Sequence, residues 1–128
     1  DTTEIVLEDP SPEGEVDIAS ASQNPPASAQ DSKAGIDQEL SNRYPDTRAC
    51  PNTKTTSTTL NGVKGLSWTL CFTVTDGAHS VPAAASLFVG ANASGSVYYL
   101  VIVITSQDNL SAYLEVTAPV TRSIHWKL

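Results

Sequence analysis

Methionine is missing altogether, cysteine and histidine occur twice each, and no lysine or arginine precedes Lys33. Each shortage excludes something. Seven basic residues against fourteen acidic ones give a net charge of -7. That balance leaves no cationic cluster able to displace counterions from duplex nucleic acid, so no nucleic-acid partner is expected. His79 and His125 have no second histidine or cysteine at metal-ligand spacing; neither a zinc site nor a cofactor is expected, and each histidine reads as a surface residue. No apolar run approaches the roughly 18 residues of a membrane span. The longest, residues 97–105, is short and rich in β-branched side chains. A chain that starts at Asp1 and lacks Met is expected to have lost a natural start, and with it a secretion signal.

Much of the acidic charge is concentrated early. Asp1, Glu4, Glu8, Asp9, Glu13, Glu15, Asp17 and Asp31 all precede Lys33, which suits a solubilising surface. With 128 residues and 40% hydrophobic content, the chain suits one domain spanning 1–128 with a genuine core. Cys50 and Cys71, in a Ser/Thr-rich and Lys-poor chain, suggest one disulfide in an oxidising compartment; the alternative is a pair of reduced buried thiols.

The run Val97-Tyr98-Tyr99-Leu100-Val101-Ile102-Val103-Ile104-Thr105 is the organising element. It has no charge, glycine or proline, and its composition favours a strand. Apolar residues on both parities require cover on both faces, which places it inside a sheet. Residues 3–7 and 15–22 read as two earlier strands separated by prolines, and Asn24-Pro25-Pro26 begins a loop. Asp31 or Ser32 caps an expected helix over 33–44, with Ile36, Leu40 and Tyr44 on one stripe and Pro45 as its stop. Residues 53–60 suit a polar strand. Asn61-Gly62, with Gly65, supplies the positive φ angles of a hairpin.

The next strand alternates clearly, with Leu66, Trp68, Leu70, Phe72 and Val74 against Ser67, Thr69, Cys71, Thr73 and Thr75. Trp68 belongs to the core by its phase, and the partner of Cys71 must be reached from the polar side or around an edge. A loop holding His79 and Pro82 is expected before a short strand at 86–89. Asp108 or Asn109 caps a last helical region containing Leu110, Tyr113, Leu114, Val120 and Ile124, which Pro119 is expected to kink or divide. The resulting class is α+β: an antiparallel β-sheet with two helical segments packed on it.

This order, with Leu60-Asn61-Gly62-Val63-Lys64-Gly65, the strand from Trp68 to Val74, the Tyr98-Tyr99 strand, Ala112-Tyr113-Leu114 and Ser123-Ile124-His125-Trp126, resembles the PsbP-like fold. Within that fold the pattern is similar to exported LpqN/LpqT-type lipoproteins of actinobacteria. The matching segments cover roughly the C-terminal 70 residues. The resemblance implies an α/β/α sandwich and a monomeric, non-enzymatic, extracytoplasmic domain, secreted or tethered through a lipidated cysteine upstream of Asp1. It supplies no catalytic residue.

Candidate chemistry is sparse. Ser67 sits in Gly65-Leu66-Ser67-Trp68-Thr69, which lacks the last glycine of a nucleophile elbow and lies within a strand. Glu13, Glu15 and Asp17 put three carboxylates on one strand face, yet the glycine-centred loop and bidentate glutamate of a calcium site are missing. Asn92-Ala93-Ser94 and Asn109-Leu110-Ser111 are formal glycosylation triplets of a kind that arises by chance. Trp126 either caps the core or projects toward a partner. A ligand groove, if built, is expected between the last helix and the sheet, near Tyr113, Trp126 and the central strand. The expected function is a non-enzymatic cell-envelope module that binds a protein or a hydrophobic or lipid ligand. The alternative is the external sensor or scaffold domain of a larger membrane protein, such as a receptor kinase.

Overall fold

The computed structural model describes residues 2–8 and 14–126. In chain order they form β1 (Thr2–Glu8), β2 (Gly14–Ser22), α1 (Ala29–Arg43), β3 (Arg48–Ala49), β4 (Thr56–Leu60), β5 (Val63–Asp76), β6 (His79–Ala91) and β7 (Val97–Ser106). A 3-10 turn at Gln107–Asn109 then leads into α2 (Leu110–Arg122). Among the described residues seven strands make one antiparallel sheet in the order β1-β2-β7-β6-β5-β3, with β4 also paired to β5. The fold is α+β. The apolar run at 97–105 becomes β7 and lies between β2 and β6, away from both rims.

The two helices lie on opposite faces, and the side-chain alternation of the strands sorts residues between them. Toward α1 point Leu66, Trp68, Leu70 and Phe72 of β5, Ala83, Ala85, Leu87 and Val89 of β6, and Leu100, Ile102 and Ile104 of β7, packed with Ile36, Leu40 and Tyr44. Toward α2 point Val16, Ile18, Val63, Phe88, Tyr99, Val101 and Val103, packed with Tyr113, Leu114, Val120 and Ile124. Apolar residues on both parities of β7 are therefore used on both sides. Phe72, Leu87 and Val89 are the largest fully buried side chains, each worth about 1.5–3 kcal/mol of transfer free energy.

The helix α1 starts earlier than an Asp31 or Ser32 cap requires. Ser28 is the cap: its hydroxyl accepts from the Asp31 N–H at 3.1 Å, while the Asp31 carboxylate accepts from the Ser28 N–H at 3.3 Å. Asp31 thus serves as the reciprocal partner in a capping box. At the other end the Tyr44 N–H donates to Leu40 O at 2.7 Å, and Pro45 prevents another turn. No α1 side chain is fully buried. The helix is fixed instead by particular contacts: Tyr44 stacks on Phe72 with centroids 4.6 Å apart, and the Trp68 indole N–H donates to Asp37 at 2.9 Å.

The loop expected around His79 and Pro82 is instead the first part of β6, paired with β5 from Asp76↔His79 onward. Pro82 lies beyond the point where β7 joins, at Ala83↔Ser106, so this part of β6 has one neighbour and an open side. Proline is tolerated at such edges, since a missing donor there breaks no second ladder. Pro119 likewise does not divide the last helix; α2 is one helix of 13 residues. The proline falls near its end, where a lost bond to the preceding turn disturbs little that follows. The Asn61-Gly62 turn is present with φ of 48° and 90°. Gly65 is not among the positive-φ residues; a Cβ there would meet Val89 O at 2.1 Å, so glycine permits close strand approach.

Cys50 and Cys71 are joined in a disulfide. Cys50 follows β3, which pairs along the rim of β5, so the bridge reaches Cys71 around the sheet edge. There the two cysteines pack with Ala84 and Leu110 on the α2 side.

Candidate functional site

Two contacts of α2 flank a gap between the helix and the sheet. Tyr113, 4% exposed, is the first anchor. Its ring lies against the bare backbone of Gly14, where a Cβ would come within 2.6 Å of it. The second anchor is the β4–β5 turn, where the Asn61 amide donates to Thr121 O and Ile124 O, both at 2.9 Å, and holds carbonyls at the end of α2. Trp126 strengthens this end, packing edge-on to Tyr99 with centroids 5.0 Å apart while its indole N–H donates to Leu60 O at 3.2 Å. Trp126 thus caps the core.

Between the anchors the sheet carries small side chains, Ser67 on β5 and Ser86 on β6, and α2 does not fill the space above them. The result is a groove of about 220 Å³. Phe88, Val101 and Val103 form its floor, Leu114, Thr117, Ala118 and Thr121 the helix wall, and Thr58 and Leu60 its outer rim. None of the residues lining it is charged. Thr117 and Thr121 direct their hydroxyls back to the helix, donating to Tyr113 O at 2.9 Å and Ala118 O at 3.0 Å. The groove lies between α2 and the sheet, where the sequence suggests one, but Tyr113 and Trp126 do not line it. They hold its ends.

The other singled-out residues are spread over the surface. His79 opens β6, His125 follows α2, and both are exposed. Glu15 and Asp17 share one face of β2, while Glu13 lies outside the described residues. Among the described residues no three His, Cys, Asp or Glu side chains gather as metal ligands. Asn92 is engaged in its own loop, donating to Ser96 at 3.0 Å and accepting from the Val97 N–H at 3.0 Å. Asp46 is the clearest electrostatic feature among the described residues. Hydrogen bonds from the Thr73 hydroxyl at 2.7 Å and the Thr73 N–H at 2.9 Å, with Arg48 nearby, hold its carboxyl below the ordinary 3.8. That contact ties the segment after α1 to β5 and is remote from the groove.

No protein-family model and no curated protein matches the chain. Among solved structures it is similar to PA94 from Pseudomonas aeruginosa, a protein of unknown function classed as a candidate regulator. The match has a TM-score of 0.66 and 9% identity, covering 100% of this chain and 85% of that one. At that identity the likeness is one of fold alone. Sequence reasoning did not single out Ser86, Thr117, Ala118 or Thr121. The one available signal was the row of small side chains beneath α2, which has meaning only once the strands are in register.

Proposed function

We propose that this protein is a non-enzymatic binding module of the cell envelope that takes a protein segment or a hydrophobic ligand into the groove beneath α2. The observation that carries this reading is the lining: an apolar floor, a rim of small hydroxyl side chains, and no charge. Its volume of about 220 Å³ is below the roughly 300–1,000 Å³ of sites that engulf a drug-sized molecule. A slim group fits, either one alkyl chain or a projecting apolar side chain of a partner. The Cys50–Cys71 bridge suits a compartment that sustains disulfides, and among the described residues no helix is long and apolar enough to cross a membrane. The resemblance to LpqN/LpqT-type lipoproteins supports the same setting.

Native mass spectrometry of protein purified from its own host, with lipid extraction in parallel, tests this. A bound acyl chain that is lost in Ala118→Phe establishes a carrier role. A clean apo mass directs the reading to protein recognition, which is then sought by cross-linking from the groove. Turnover of any substrate by the purified protein contradicts it.

A further inference from the structure

We propose that the outer edge of β4 is a docking site for an extended segment of a partner protein that alternates apolar and acidic side chains and joins the sheet as an additional strand. The inference rests on main-chain geometry and stands whether or not the groove beneath α2 holds a ligand. Asn61 and Gly62, at φ of 48° and 90°, make a two-residue turn flanked by the pair Leu60↔Val63. In such hairpins the flanking pair exchanges both of its main-chain hydrogen bonds, and bonded and open pairs alternate from there. Leu60, Thr58 and Thr56 therefore direct N–H and C=O toward β5, and Thr59 and Ser57 direct theirs outward.

Among the described residues the outward groups have no main-chain partner. Among the described residues β4 pairs only with β5, and residues 56–59 are exposed. Soluble proteins usually guard such an edge with charge, proline or a bulge. The opposite rim, β1, carries Glu4 and Glu8, whereas Thr56-Ser57-Thr58-Thr59-Leu60 has no charge and no proline and is rich in strand-favouring threonine. Free main-chain donors and acceptors in a straight row are complementary to another extended chain.

The surroundings of the edge specify that chain. Register places Thr58 on the α2 face, beside the apolar groove with Ala118 and Phe88. Ser57 and Thr59 face the other way, toward an open hollow of about 430 Å³ beside Gln30 and Lys64. Side chains of an added strand alternate between these two spaces. Lys64, opposite Thr59, and Lys54, just before β4, are exposed, and among the described residues neither is paired with a carboxylate. Lys64, of the same parity as Leu66, lies on the α1 face and favours acidic side chains there, while the groove mouth favours apolar ones. A second copy of this chain fits less well, since its own β4, Thr56-Ser57-Thr58-Thr59-Leu60, offers no acidic side chain to meet Lys64.

The test is amide NMR of the intact protein with two short capped peptides, one alternating valine with glutamate and the other valine with lysine. The glutamate peptide is expected to give saturable shifts at the Ser57 and Thr59 amides and to slow their exchange. It should bind about tenfold more tightly than the lysine peptide, with Lys64→Glu reversing that order. Ser57→Pro removes an outward N–H without removing a β4–β5 bond, and should weaken binding about tenfold. If that variant loosens the hairpin, seen as loss of the Trp126 indole signal, the reversal in Lys64→Glu decides. No shift at Ser57 and Thr59 with peptide at about 1 mM overturns the proposal. So do equal affinities for the two peptides, or shifts at these amides that depend on protein concentration alone.

Discussion

Reducing the Cys50–Cys71 bridge should lower stability by about 3 kcal/mol without altering the fold. The sequence separation is 21, and the chain-entropy relation for a loop of that size gives about 3 kcal/mol at 25 °C. Reduction leaves both sulfurs in place, in sites only 8% and 4% exposed beside Ala84, so little packing is lost and the loop term is isolated. At an unfolding entropy of about 2.1 cal/mol/K per residue, 128 residues convert that loss into a fall in Tm of about 11 °C. Urea denaturation with and without reductant, with mass spectrometry confirming the thiol state, measures it. The midpoint should fall and the slope should rise, because the reduced unfolded chain is more expanded. Locally, exchange of the Cys50 amide, bonded to Thr69 O at 3.2 Å, should accelerate. A fall in Tm under about 3 °C would refute the loop-entropy reasoning, and uptake of two alkyl groups without reductant would remove the bridge itself.

Three further outcomes follow from individual contacts. Asp37→Ala leaves the Trp68 indole N–H, in a site 5% exposed, without its acceptor on α1, and should cost about 1–3 kcal/mol in urea denaturation with a change in tryptophan fluorescence. Gly14→Val forces the Tyr113 ring out of its seat and should cost about 1–3 kcal/mol; amide exchange should rise in α2 more than in α1. Because the Asp46 carboxyl titrates below its ordinary 3.8, its contribution is complete above that pH and disappears as pH falls through the lower folded value. Asp46→Ala should therefore flatten the stability profile on the acid side of about pH 4, read from denaturation midpoints across that range.

What could be read directly from the residues was whatever a local pattern determines. The alternation from Leu66 to Val74, the Asn61-Gly62 turn, the Ile36-Leu40-Tyr44 stripe and the two-sided run at 97–105 each specify one local geometry, and the structure contains all of them. The expectations that failed depended on neighbours. Pro82 reads as a loop residue until β7 is seen to stop at Ser106, leaving that part of β6 with an open side. Of the two outcomes expected of Pro119, a kink or a division, the division is absent because the proline falls in the closing part of α2. Asp31 or Ser32 reads as the cap because Ser28 falls within the Asn24-Pro25-Pro26-Ala27-Ser28-Ala29 stretch that reads as a loop, and only the reciprocal hydrogen bonds separate cap from partner. The lining of the groove was not legible, since Ser67, Ser86 and Ala118 are ordinary small residues that make a cavity only by failing to fill the space under α2.

The groove itself is tested most directly by placing a photo-reactive side chain at Ala118, inside it, and another at the exposed Ala34 on α1, in the protein expressed in its own host. Irradiation of cells should give one discrete adduct, a lipid or a single polypeptide, from position 118 and none from position 34. Identical patterns from both positions, or no adduct from position 118, would contradict a binding role for this groove.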